Sequence, residues 1–404
     1  MAESLKLSSE RRGGGQLAAR VLTGGDVGLH EKYAPVMHFS GAERFFPMSV
    51  NDFLDYASLH AQGEDRPLIS RGRVRPSHLG RADASRTFLR SVRRGPVNGS
   101  EVAKDWGTDT LWLLLKSVRS PTQAWSEVAA RKAYDWFSDK TSEATKHFWW
   151  NKYLLQAQAS PRGNERADLP RFRLPVDVRQ AALENYESSQ GSRPTYTYYH
   201  RSVQQGRFLN LQYWFFYSYN DWANSFDGFN DHEGDWEGVQ LFFALDGQRP
   251  VEPPAYMCYL GHHSRITKPW HHPDVEKTGT HPHVYVAAGS HASYPEAKPY
   301  TIMSLYNLID DATGDALTLH PSEWRRREDL DSSPWIPAYA GSWGTRYWLD
   351  FAWLQRTVGQ VLKAIPGEFQ LPGVSAPRSP RFDDEGNERE TWGNAAVFAG
   401  IAQP

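Results

Sequence analysis

Polar and apolar positions along this chain fall into three regimes. From Tyr196 onward the apolar runs are short, β-branched or aromatic, and separated by Gly and Pro. Leu211-Gln212-Tyr213-Trp214-Phe215-Phe216-Tyr217-Ser218-Tyr219 is apolar on both faces of an extended chain and predicts a central strand covered on both sides. Glu237 to Leu245 predicts a second strand and Val284 to Ala288 a third, with turns at Pro250, Pro253-Pro254, Pro273 and Pro282. No strand–helix–strand rhythm links them. The expected architecture is therefore mainly β, an antiparallel β-sandwich core.

Between these strands and the N-terminus the period changes. Ser120-Pro121-Thr122-Gln123 has the form of a helix start, and Trp125, Val128, Ala129, Ala133, Trp136 and Phe137 follow at helical spacing. Phe148, Trp149, Tyr153 and Leu154 continue the pattern. This predicts an inserted α-helical unit. Its Trp faces suit packing on the core better than a membrane. Upstream, Tyr33 to Phe39 reads as a short strand, and Ser49 as the N-cap of a helix carrying Phe53 and Leu54. The expected division is residues 1–30 disordered, 31–94 the first part of the β core, 95–165 the helical insertion, 190–375 the β-sandwich core, and 376–404 a loose tail rich in Pro, Arg and Asp.

Composition narrows the function classes. Lys and Arg number 45 against 47 Asp and Glu, so no whole-molecule field favours nucleic acid. The single Cys258 excludes an internal disulfide and any cysteine-based zinc site. The first residues, with Arg11-Arg12 and Gly13-Gly14-Gly15, lack the apolar core of a secretory signal. The run nearest to a membrane span, Leu111 to Leu115, stops at Lys116, far short of one. A cytoplasmic location is expected, with signal-less export and peripheral membrane contact left open.

Charge is concentrated in one place, Asn230-Asp231-His232-Glu233-Gly234-Asp235-Trp236-Glu237, which runs directly into the apolar strand. Carboxylates this close raise each other's pKa unless a positive charge sits between them. Asp235 and Glu237 lie two apart at a strand start and share a face, with Trp236 on the other. His232 lies in a loop able to fold back, and Asp221 or Asp227 can reach the same point. The expected metal ligands are His232, Asp235 and Glu237, with Asp221 or Asp227 as the upstream member. The oxygen-rich set favours calcium or magnesium, with zinc or manganese as the alternative. A second, histidine-rich region comprises His262-His263, His271-His272, His281 and His283. His291, in Gly289-Ser290-His291-Ala292, follows a strand among small residues and is a candidate general acid or base, as is Glu233. Ser290 beside it is not a nucleophile–base pair, and no phosphate loop, dinucleotide fingerprint or nucleophile elbow is present.

Five blocks in order together resemble the vacuolar protein-sorting "sixty-two"-type family: Tyr33-Ala34-Pro35-Val36 with Glu43 and Phe46-Pro47; Leu211 to Tyr217; His232 to Glu237; Gly289 to Ala292; and Trp343-Gly344 after Tyr339. More distantly, His232, Asp235, Trp236 and Glu237 are similar to the Gly-His-Arg-His-Asp-Trp-Glu heptapeptide of the necrosis-inducing cytolysin-like family. That resemblance implies a β-sandwich holding a divalent cation and binding membrane glycolipid, with Asp221 as an upstream ligand. Gly234 stands where the heptapeptide has its second His, and Glu233 where it has Arg. The cytolysins are also secreted and disulfide-bearing, so the metal transfers better than the toxicity.

The expected function is divalent-cation-dependent binding of a glycan, lipid head group or other small molecule. The alternatives are a metal-dependent hydrolase or a lyase/cyclase-type enzyme using His291 or Glu233, and a membrane-acting toxin or effector.

Overall fold

The structure is a computed structural model. It describes residues 20–21, 28–62, 64, 66–92, 176–221, 232–261, 264–303, 308–344, 348–350, 368–370, 377–383 and 386–401 of the 404-residue chain. The expected helical insertion at 95–165 lies outside the described residues.

The central strand is Phe208–Asn220, and each of its residues is buried. It pairs antiparallel with Thr197–Gln205 on one side and with His232–Asp246 on the other. Tyr256–Gly261 and Ser264–Pro269 extend the sheet beyond His232–Asp246. A second sheet is built on Val36–Phe39, flanked by His281–Val286 and Thr318–Leu319. The core is therefore mainly β, as expected, but not wholly antiparallel. Val36–Phe39 runs parallel to His281–Val286, and Arg326–Asp329 runs parallel to Thr197–Gln205. Long connections separate each of these pairs in sequence, which is what parallel pairing requires.

Alternation along the central strand sorts its side chains into two cores. Leu211, Tyr213, Phe215 and Tyr217 pack with Met37, Phe39, Val284 and Val286, so the two sheets form a sandwich. Trp214 and Phe216 face the other way, toward Phe53, Leu54, Val178, Ala182, Tyr186 and Trp392. That second layer consists of short helices, the helix Val176–Gln190, and a three-stranded sheet of Ser58–Ala61, Pro67–Ile69 and Thr87–Arg90. Ser49 caps the helix Val50–Leu54 by accepting from Asn51 N–H, as its position predicts.

The C-terminal segment, expected to be loose, instead packs on this layer in its described part. Two short helices, Glu390–Gly393 and Ala395–Phe398, bury Trp392, Ala395 and Ala396. The guanidinium of Arg201 lies 3.8 Å from the Trp392 ring centroid. Gln205, Gln212 and Gln240, which project from the sheet, donate to backbone carbonyls of Thr391, Trp392 and Gly393. An aromatic anchor with satisfied backbone polar groups outweighs the loop-like composition.

Candidate functional site

The site forms where the central strand, the strand His232–Asp246 and the turn after His281–Val286 converge. In the sheet register, Asp235 lies opposite Tyr217 and Glu237 opposite Phe215. Both acids belong to the face that looks toward the second sheet. Glu233 does not join them, because the backbone turns over at Gly234, where φ is +69°. Only glycine accepts that conformation readily, and a Cβ there would lie 2.4 Å from the Trp343 carbonyl oxygen. Glu233 is consequently directed to the opposite layer. Its Oε1 accepts from Ser91 N–H at 2.8 Å, Ser91 O–H at 2.5 Å and Val92 N–H at 3.1 Å. Three donors on one buried oxygen describe an anchor for the small sheet.

The turn Gly289-Ser290-His291 presents the histidine. His291 has φ +58°, uncommon for a side-chain-bearing residue, and Gly289 beside it has φ +77°. Such strain persists only where the surroundings impose it. Here Ser290 O–H donates to Asp310 at 2.9 Å, Tyr294 O–H donates to the other Asp310 oxygen at 2.7 Å, and Gly289 N–H donates to Glu43 at 2.8 Å.

His291 is completely buried and stacks face to face on Tyr217, ring centroids 3.8 Å apart. Its Nδ1–H donates to Asp235 Oδ2 at 2.9 Å, and its Nε2 lies 3.5 Å from Glu43 Oε1. The imidazole thus sits between two carboxylates. Burial pushes its pKa down, but Glu43 and Asp235 outweigh burial and lift it to about 10. At neutral pH it is an imidazolium. The same contacts act in reverse on the acids. Burial would raise Glu43, yet His291 and the backbone N–H groups of Gly289 and Phe45 hold it below the usual carboxylate range. Burial likewise opposes ionisation of Asp235, and His291, His232 and Asn220 overcome it. Asp235 Oδ2 also accepts from Asn220 at 2.9 Å, and Oδ1 from Trp236 N–H at 2.9 Å.

Glu237 is the odd member. It retains partial solvent exposure, and its carboxyl makes no hydrogen bond to a described residue. Burial, then Asp235 and Asp310, push its pKa well above the ordinary value, and Arg389 and His291 offset only part of this. Of the two acids, Glu237 is the one whose surroundings favour the protonated form, and Asp235 the one whose surroundings favour the carboxylate.

The other expected ligands are engaged elsewhere. Asp221 receives a two-pronged contact from Arg179, at 2.8 and 2.6 Å. His232 lies within the strand, not in a loop, and its Nδ1–H donates to the Gly234 carbonyl at 2.8 Å. Asp227, His262 and His263 lie outside the described residues. Asp235 and Glu237 thus share one face, and His232 lies near enough to Asp235 to favour its charged form. Among the described residues, no group of three or more His, Cys, Asp or Glu is already arranged around a metal position. Sequence reasoning missed Tyr217 and Asp310 as members of the site, and took Glu43 only as part of a family block.

Fold and site together define a mainly β, sandwich-type protein with a buried charged centre. No protein-family profile matches the chain, and no curated protein matches it. A solved structure similar to part of it is that of necrosis and ethylene inducing protein 2 from the causal agent of cocoa's witches' broom disease. It is 16% identical, with a TM-score of 0.24, over 35% of this chain and 55% of that chain's length. A likeness that low carries no argument about fold or function. The vacuolar-sorting resemblance finds no support in these comparisons. Among the described residues, no helix is long and apolar enough to cross a membrane.

Proposed function

We propose that the chain binds a hard divalent cation, calcium or magnesium, through Asp235 and Glu237. The open positions on the ion would take an oxygen-rich ligand such as a glycan or a lipid head group. The observation that carries this reading is Glu237, whose carboxyl accepts no hydrogen bond from a described residue and whose burial, with Asp235 and Asp310 nearby, favours the protonated form. A cation in that place removes the need for the proton. Two carboxylates with water completing the shell is a coordination that magnesium commonly accepts, and calcium takes more oxygens of the same kind. Asp235 retains acceptor capacity on Oδ1 after its bond from Trp236. His291 and Glu43 stand behind Asp235 and fix its orientation, as partners of a ligand do. Asp221 and His232 are not needed in this donor set.

The reading predicts that calcium or magnesium raises the melting temperature of the purified chain and a chelator lowers it, because a ligand of the folded state stabilises that state. Glu237→Gln should lose the response. A chelator-insensitive melting curve, with no cation bound at equilibrium, rules it out.

One observation favours a second reading, acid–base turnover. The same surroundings favour the ionised form of Asp235 and the protonated form of Glu237, the separation an acid–base pair requires. In that case the proton donor is Glu237. His291 is already an imidazolium and fully buried, and Glu233 is tied to Ser91 and Val92. An activity that survives chelation but is lost in Glu237→Gln would select this reading. The toxin or effector alternative rested on the helical segment 95–165, which lies outside the described residues.

A further inference from the structure

The outer face of the second sheet carries a cluster of imidazoles that the site above does not use. In His281–Val286 burial alternates strictly, with Pro282, Val284 and Val286 inward and His281, His283 and Tyr285 outward. His38 lies opposite Tyr285 and Thr318 in the register of Val36–Phe39. The rings of His38 and Tyr285 stack with centroids 4.7 Å apart. Gly314 packs so closely on this pair that a Cβ would lie 2.7 Å from the Tyr285 ring.

His38 Nε2 and His283 Nδ1 face each other at 3.1 Å. Their remaining nitrogens are already engaged: His38 Nδ1 with Thr318 Oγ1 at 3.1 Å, and His283 Nε2 with Thr278 Oγ1 at 2.9 Å. Glu276 Oε1 lies 3.3 Å from the same His283 Nδ1, and its other oxygen accepts from Tyr285 O–H at 2.6 Å. When each threonine accepts the ring N–H, two nitrogen lone pairs and a carboxylate oxygen are directed at one another. In that tautomer the three acceptors crowd one another, and a cation among them relieves the repulsion, as a proton shared between the two rings does in its absence. Two donors about 2.0–2.1 Å from one tetrahedral ion stand roughly 3.3 Å apart, which is the spacing found here.

We propose that His38, His283 and Glu276 form a binding site for a zinc-class divalent cation, held by His38 Nε2, His283 Nδ1 and a Glu276 oxygen. As they stand the three are not closed around one point. Glu276, whose side chain is about half exposed, completes the set by turning onto the ion. Nitrogen donors select zinc, nickel or cobalt over calcium and magnesium. Thr318 and Thr278 orient the ligating rings from behind, as outer partners of metal-bound histidines do. The ion ties Val36–Phe39 to His281–Val286 across their parallel pairing. The inference is independent of the cation proposed at Asp235 and Glu237.

The test is titration of the full chain with zinc in excess magnesium, followed by cobalt as an optical probe of nitrogen ligation. One equivalent should bind. His283→Asn and His38→Asn should each weaken it by more than about 10-fold, and Glu276→Gln by several-fold. His281→Ala should leave it unchanged, since the His281 Nδ1–H is committed to the Ala34 carbonyl. Absence of a stoichiometric equivalent overturns the proposal, as does binding unaltered in the histidine variants. Glu276 is exposed, so Glu276→Gln reads the site even if a histidine variant fails to fold, and unchanged affinity there also overturns it.

Discussion

At the residue scale the centre of the molecule is one imidazolium between two carboxylates. Removing one partner of a buried ion pair leaves an uncompensated charge, so His291→Gln should destabilise the chain by about 3–5 kcal/mol, measured by denaturant unfolding. The pH dependence has a definite sign on each side. The imidazolium, raised to about 10, contributes stability in full below its unfolded value and loses that contribution as pH rises through about 10. Glu43 and Asp235, held low, contribute above the ordinary carboxylate range and lose it as pH falls through their depressed values. Melting temperature against pH should fall at both ends in the wild type and flatten on the alkaline side in His291→Gln. Glu237 has the opposite sign. A raised carboxyl costs stability above its unfolded pKa, so cation-free Glu237→Gln should be more stable than wild type near neutrality. Period-two alternation was enough to place Asp235 and Glu237 together, and it failed for Glu233. It failed because Gly234 reverses the backbone, and a lone glycine in an acidic stretch does not announce a positive φ.

At the element scale the long aromatic strand was legible because an extended segment apolar on both faces has no other stable place than the middle of a covered sheet. The Ser49 cap was legible because its chemistry is local. The helix Val176–Gln190 was not. Its buried positions Val178, Ala182 and Tyr186 recur every fourth residue, but glutamates and small polar residues fill the spaces and leave only a thin apolar stripe. Parallel pairing of Val36–Phe39 with His281–Val286 was equally hidden, since no local signal joins segments that distant. The junction between strand and turn depends on two close approaches. A Cβ on Gly234 would meet Trp343, and one on Gly344 would lie 1.8 Å from the Glu233 carbonyl oxygen. Gly234→Ala combines the left-handed penalty with that clash and should cost at least about 2 kcal/mol. Circular dichroism melting of the two alanine variants checks both contacts.

At the scale of the whole molecule, the sandwich was readable from the distribution of short strands, whereas its outer cover was not. The described end of the chain closes the second face of the large sheet through Trp392, and composition alone suggested a loose tail. Trp392→Ala should therefore lower stability by about 3–5 kcal/mol, as for other buried tryptophans, and a change near zero in equilibrium unfolding would mean the segment does not hold the core. The two charged regions lie on different parts of the fold and predict different metals, carboxylate-bound at Asp235 and Glu237 and imidazole-bound at His38 and His283. The central claim is that a cation takes the place of the proton on Glu237. Calorimetric titration with magnesium or calcium at neutral pH, repeated in buffers of different ionisation enthalpy, counts the protons released on binding. Release of about one proton per cation, with both binding and release abolished in Glu237→Gln, is the predicted result. Cation binding without proton release that persists in Glu237→Gln, or no binding at all, would contradict it.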